Sequence, residues 1–252
     1  MYLQDEARVI PPGRLKRGKA HRYPFRFTHT DVGPPTHLGY ICSVRWTLHA
    51  VLEVPDVPPF LAYRELFLEA PPPFFDMGDR EYHSTVSTAV GELELVLPRV
   101  VYAQGEVLRG SMRFNATREF DAEEIRVILL RIENLSAGDD HFVYVAEWDP
   151  VTGLFRGERW PGGEGTTYVW LEAEVVLSRT RRFVPTNYLN LPFEFQIPSD
   201  WRPTLTTGHG RVTWKVGVII PRPDYPDLRV FHEVIVYTAD GDYGFGEMPS
   251  SG

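Results

Sequence analysis

A chain of 252 residues with 43% hydrophobic and 24% charged residues has the composition of a globular protein, not a disordered one. Its net charge of −8 argues against nucleic acid or an anionic membrane as main partner, since both demand a basic footprint, and leaves room for peripheral membrane contact at most. Cys42 is the only cysteine, which excludes an internal disulfide framework.

No signal-like apolar N-terminus and no apolar run of membrane-spanning length is present, so a cytoplasmic location is expected. In that compartment the sequons at Asn115 and Asn134 carry no meaning. The 22 prolines and 21 glycines punctuate many short alternating runs, and long helical periodicity is missing; this pattern predicts an all-β sandwich.

Leu3–Ile10 reads as a strand ended by Pro11, Pro12 and Gly13, and Arg14–Lys19 as a short basic, solvated turn. Tyr23–Phe27 alternates as a strand. Tyr40–Leu52 and Leu61–Leu68 form a hairpin around a stiff turn at Pro55–Pro59. Pro71–Pro73 and the polar residues to Thr88 read as an inter-domain linker or long crossing segment. Leu93, Leu95 and Leu97 alternate, Gly105 marks a tight turn, and Gly110 a bulge or close backbone contact. Glu123–Glu133 is apolar on both parities, as expected for a central strand covered on both faces. His141–Trp148 reads as a strand, 149–165 with its five glycines as a surface loop, and Thr166–Ser178 as a long strand followed by Arg179, Arg181 and Arg182 in a connection. Residues 239–252 read as a disordered tail.

An ungapped internal repeat overlies these elements. A shift of 168 residues carries Pro192, Phe193 and Phe195 onto Pro24, Phe25 and Phe27, and Val212 and Trp214 onto Val44 and Trp46. It also carries Pro223, Asp224 and Pro226 onto Pro55, Asp56 and Pro58.

The motif Tyr102-x-x-Gly105-Glu106-x-Leu108-x-Gly110, followed by Leu191–Pro198 and the hairpin of Val212–Tyr237, resembles an arrestin-fold domain of the superfamily that includes the bacterial sporulation-control proteins. The resemblance implies immunoglobulin-like, arrestin-type β-sandwich domains in tandem. They would be a partial first domain over 1–69, a linker over 70–91 and a complete domain over 92–238. Nothing upstream corresponds to Tyr102–Gly110, so the expectation is either that Met1 is internal to a longer protein or that the open edge is covered by a partner or a second copy.

The resemblance implies a non-enzymatic intracellular adaptor, scaffold or regulatory protein that binds other proteins through sandwich surfaces and edge strands, with self-association through the open edge as a candidate. Arginine greatly outnumbers lysine, which points to a bacterial member. Pro24, Phe25, Phe27, Trp46, Tyr102, Gly105, Glu106, Leu108, Gly110, Pro192, Phe193, Phe195 and Trp214 are structural members of the motif. No catalytic, cofactor or metal residue is expected. The eight histidines stand singly, and Asp139–His141 with Asp121, Glu123 and Glu124 lacks the spacing of a known ion site. The alternative is a carbohydrate-binding or calcium-dependent membrane-binding sandwich. A flat exposed row of Trp148, Trp160 and Trp201 would favour it, whereas buried Trp46, Trp170 and Trp214 would favour the scaffold.

Overall fold

The computed structural model describes residues 8–10, 13–15, 18–26, 34–70, 80–135, 143–149, 154–160, 166–185, 188–223 and 225–238. The chain divides into two units, Met1–Gly33 and Pro34–Gly252. This division falls ahead of the expected boundaries at 69 and 92. In the first unit Tyr23 stacks on His21, with ring centroids 6.1 Å apart. The strand expected from Tyr23 is not formed over its described residues, and Pro24 and Phe25 are exposed. Five residues give too little apolar face to hold a strand without a neighbour to pair with. Phe27, most of Leu3–Ile10, the prolines at 71–73, Asp139–His141, Asp224 and the 239–252 tail lie outside the described residues.

The second unit is all β, and no helix of the described residues is long and apolar enough to cross a membrane. Its strands are β1 (His37–Leu38), β2 (Ser43–Val44), β3 (Trp46–Val54), β4 (Val57–Leu66), β5 (Tyr82–Thr88), β6 (Gly91–Leu97), β7 (Val101–Ala103) and β8 (Val107–Ala116). They continue as β9 (Phe120–Leu135), β10 (Val143–Asp149), β11 (Leu154–Trp160), β12 (Thr166–Phe183), β13 (Tyr188–Gln196), β14 (Leu205–Thr206), β15 (Gly210–Arg222) and β16 (Tyr225–Tyr237).

Two sheets make the sandwich. One has the order β12-β9-β15-β16-β7, with β14 also on β15; the other has the order β13-β8-β6-β5. Period-two alternation supplies the core between them. Leu93, Leu95 and Leu97 of β6, with Met112 and Phe114 of β8, are buried in one cluster with Ile125, Val127 and Leu129 of β9 and Trp214, Val216 and Val218 of β15. β9 lies between β12 and β15, as its two-sided apolar run predicts, and Ile128 on its outer face is also buried.

Several boundaries differ from those predicted. The expected linker at 70–91 contains β5, which pairs with β6 through a short turn at 89–90. Its Tyr82 and Val86 pack on the core, and only these two alternating side chains mark an otherwise polar strand. The expected glycine loop at 149–165 contains β11, paired with β10 from Val143↔Trp160 to Asp149↔Leu154. Arg179, Arg181 and Arg182 belong to β12, not to a connection, because the strand runs on along β9 to Phe183↔Phe120. The first hairpin begins at Trp46 and turns at 55–56 only, so Pro58 and Pro59 lie within β4. Proline is tolerated there because the pairing is bulged between Leu52 and Val54 and the strand is at an edge.

The motif residues meet in register. Phe193 lies opposite Gly110 and Phe195 opposite Leu108. A Cβ on Gly110 would meet the Phe193 ring at 2.6 Å and the Val96 carbonyl oxygen at 2.8 Å, which is the close approach the glycine permits. Gly105 adopts φ +77° in the turn. Its N–H donates to Ile197 O at 3.0 Å, and the Glu106 carboxylate accepts from Ala103 N at 2.9 Å. The buried Tyr102 donates to Arg99 O at 2.7 Å, and burial pushes its pKa up to about 12. These residues build a corner of the sandwich, where Tyr102, Gly105 and Glu106 each bond to the backbone and Glu106 also pairs with the Arg99 side chain.

Candidate functional site

The hairpin β3–β4 concentrates exposed large apolar side chains: Val51, Leu52, Val54, Val57, Phe60, Leu61, Tyr63 and Leu66. Phe60, Leu61 and Tyr63 are 59%, 72% and 79% exposed, and Val51 is 57% exposed. Among the described residues β3 and β4 pair only with each other, so the backbone edge of β3 away from β4 has no strand on it.

The repeat explains why the face of this hairpin that carries Leu48, Leu52, Phe60 and Leu66 is apolar; Val51, Leu61 and Tyr63 lie on its other face. At the same offset of 168, Trp46↔Leu66 corresponds to Trp214↔Val234, and His37↔Val44 to Leu205↔Val212. Trp46 Nε1 donates to Pro34 O at 3.0 Å, and Trp214 Nε1 to Arg202 O at 3.0 Å. Thr36 N donates to Leu68 O at 2.8 Å, and Thr204 N to Val236 O at 2.7 Å. The surroundings differ. Positions 48, 50, 52, 60 and 66 of the first hairpin correspond to Val216, Val218, Ile220, Leu228 and Val234 of the second, all of which are buried. In the second hairpin β9 takes the edge of β15 and the β13-β8-β6-β5 sheet faces it; the first hairpin has neither among the described residues.

A buried polar cluster holds the β1–β2 segment that leads into this hairpin. Arg131 and Glu133 fall on the core-facing parity of β9, two and four residues after Leu129, where an aliphatic residue would otherwise continue the core. Glu133, fully buried, accepts backbone N–H bonds from Tyr40 (3.0 Å), Ile41 (2.8 Å) and Cys42 (3.1 Å), so one carboxylate satisfies three donors of the loop between β1 and β2. It pairs with Arg131, whose Nε donates to Glu172 Oε1 at 2.6 Å. Arg202 pairs with Asp200 at 2.9 Å and donates from Nε to Leu38 O at 3.2 Å. Burial works against the charge of Arg131, and Glu172 counters it. Burial likewise raises the Asp200 carboxyl, and Arg202 opposes that. Ala70 and Thr238, related by the repeat offset, are joined by a hydrogen bond from Ala70 N to Thr238 Oγ1 at 2.5 Å.

His37 sits inside this cluster, fully buried, and neither ring nitrogen makes a well-aligned hydrogen bond. Burial first, then the Arg131 charge, lowers its pKa to about 4, against the opposing pull of the Pro203 carbonyl. The folded pKa lies below the unfolded value of 6.5, so the unfolded chain binds the proton more readily. Its contribution is therefore complete above the unfolded value and is lost as pH falls from there towards 4. Urea unfolding between pH 7 and pH 4 is expected to show a loss of roughly 2–3 kcal/mol from this group. His37→Gln removes that part of the pH dependence; an unchanged profile in the variant would show that His37 is solvated.

Trp214 lies in the core, while Trp46, Trp170 and Trp201 are half-buried. Trp170 stacks with Tyr168 and meets the ring of Tyr40 edge-on, with centroids 5.1 Å apart. Trp201 packs on Phe67 at 5.0 Å. The side chains of Trp148 and Trp160 lie outside the described residues. Among the described residues no three His, Cys, Asp or Glu side chains group as ion ligands; Asp121, Glu123 and Glu124 lie along β9. Arg131, Glu133, Glu172, Asp200, Arg202 and His37 were not singled out from sequence. The one available signal was two charges in phase with Ile125, Val127 and Leu129.

No protein-family model and no curated protein sequence matches the chain. Spo0M, a sporulation control protein of Bacillus subtilis, is among the solved structures similar to it. The TM-score is 0.43 and the identity 15%, over 60% of this chain and 51% of that one. The chain thus spans about half the length of that protein. The likeness is distant and carries no argument about function.

Proposed function

We propose that this protein is a non-enzymatic binding protein that holds other proteins by β-strand addition at the edge of β3. One observation carries the reading: among the described residues no strand covers the β3 edge or its apolar face, while the corresponding strand β15 is paired along its edge with β9. An extended segment added to β3 gains main-chain hydrogen bonds from the edge and side-chain contacts from Leu48, Ala50 and Leu52. The Glu133 carboxylate holds the loop between β1 and β2 that leads into β3, so the start of the strand is fixed before a partner arrives. In this reading the protein is an adaptor or regulator of arrestin type, and its chemistry is that of recognition.

The β9 segment itself is the natural probe, because it occupies the corresponding edge in register from Gly210↔Leu135 to Ile219↔Arg126. A fluorescently labelled peptide with the sequence of Glu123–Leu135 is expected to bind the intact protein and raise its anisotropy. The same peptide N-methylated at alternate amides on its pairing edge should not bind, since methylation removes the ladder donors and keeps the side chains. Equal binding of both peptides would refute strand addition.

A further inference from the structure

We propose that the occupant of the β3 edge is the β3 strand of a second copy of this chain, paired antiparallel about a two-fold axis through His49. This rests on the edge reading above and names its partner.

The argument is the strand's own charge order. Arg45 immediately precedes β3 and Glu53 lies near its far end, both exposed, with His49 midway between them. A strand that adds antiparallel to this edge is favoured when it brings an acid opposite Arg45 and a base opposite Glu53, eight residues apart. β3 has that order. With His49 opposite His49 of the second copy, Arg45 of each chain faces Glu53 of the other, and the two contacts are identical by symmetry. Glu53 makes no ion pair among the described residues, and Arg45 makes only a surface pair with Glu65 at 3.6 Å. Such exposed pairs hold a side chain weakly, so Arg45 can be redirected at little cost.

Packing agrees with the charges. Trp46 falls opposite Leu52 of the second copy and Leu48 opposite Ala50, so the apolar parity of one strand continues into the other. The product is a four-stranded sheet, β4-β3 joined to β3-β4 of the second copy. A two-stranded ribbon is marginal in water, and a wider sheet with one apolar face is not. Pairing also removes two open edges at once.

Sedimentation of the full chain across a range of concentrations is expected to show a dimer that dissociates on dilution. Glu53→Arg places two like-charged contacts across the axis and raises the dissociation constant roughly tenfold; Arg45→Glu combined with Glu53→Arg restores it. His49→Cys, lying on the axis, forms a disulfide-linked dimer on mild oxidation, whereas the parent chain, with only the buried Cys42, does not. A chain that is monomeric throughout, a dimer indifferent to the charge reversal, or His49→Cys that does not cross-link overturns the proposal. A monomeric chain that still binds the Glu123–Leu135 peptide overturns self-pairing alone and leaves strand addition standing. Failure of both experiments removes both.

Discussion

Glu133→Ala is expected to cost about 3–5 kcal/mol of unfolding free energy in urea, the scale for removing one partner of a buried ion pair. The loss has two physical parts. Arg131, only 2% exposed, keeps Glu172 but loses its second counter-charge inside the fold. The amides of Tyr40, Ile41 and Cys42 lose their acceptor together. Buried donors left unmade cost more than the bonds they had formed. Hydrogen exchange gives a local readout of the same change: amides of Tyr40, Ile41 and Cys42 should exchange faster in a Glu133→Gln variant, because one carboxamide oxygen cannot replace both carboxylate oxygens while the core stays folded. A loss below about 1 kcal/mol in Glu133→Ala would mean that water already reaches the carboxylate.

Trp214→Ala and Trp46→Ala form the second test, because the two indoles make the same hydrogen bond at the same length in surroundings that differ. Trp214 is fully buried between the two sheets, and its truncation should cost about 3–5 kcal/mol. Trp46 is half-buried on the open hairpin, so its truncation should cost about 1–2 kcal/mol, mostly the hydrogen bond and a partial loss of packing. Both are to be measured by urea unfolding at a concentration where the chain is monomeric. Equal losses would show that the β3 face is covered within a single chain in solution.

The contrast between these residues shows how far the sequence alone could be read. The sandwich class followed from alternation at Leu93, Leu95 and Leu97 and from the two-sided run of β9. These depend only on which atoms avoid water and on the two-residue period of a strand. The turn at Gly105 and the close contact at Gly110 were legible for a similar reason, since glycine marks backbone geometry that other residues resist. β5 was misread as linker because a strand with a solvated face needs few apolar residues. β11 was misread as loop because its pairing with β10 outweighs the glycine at 157.

Alternation and turn residues alone specify an all-β protein with a 168-residue internal repeat, a sandwich core and a tight turn at Gly105. The three-dimensional fold, not the sequence, makes equivalent apolar positions buried in one hairpin and, among the described residues, exposed in the other, because burial depends on which sheet arrives opposite and not on the residue that waits for it. It alone also decided that Arg131, Glu133, Glu172, Asp200, Arg202 and His37 form one cluster. Charges far apart along the chain carry no local signal of meeting, and their energetics turn on the low-dielectric surroundings that folding creates.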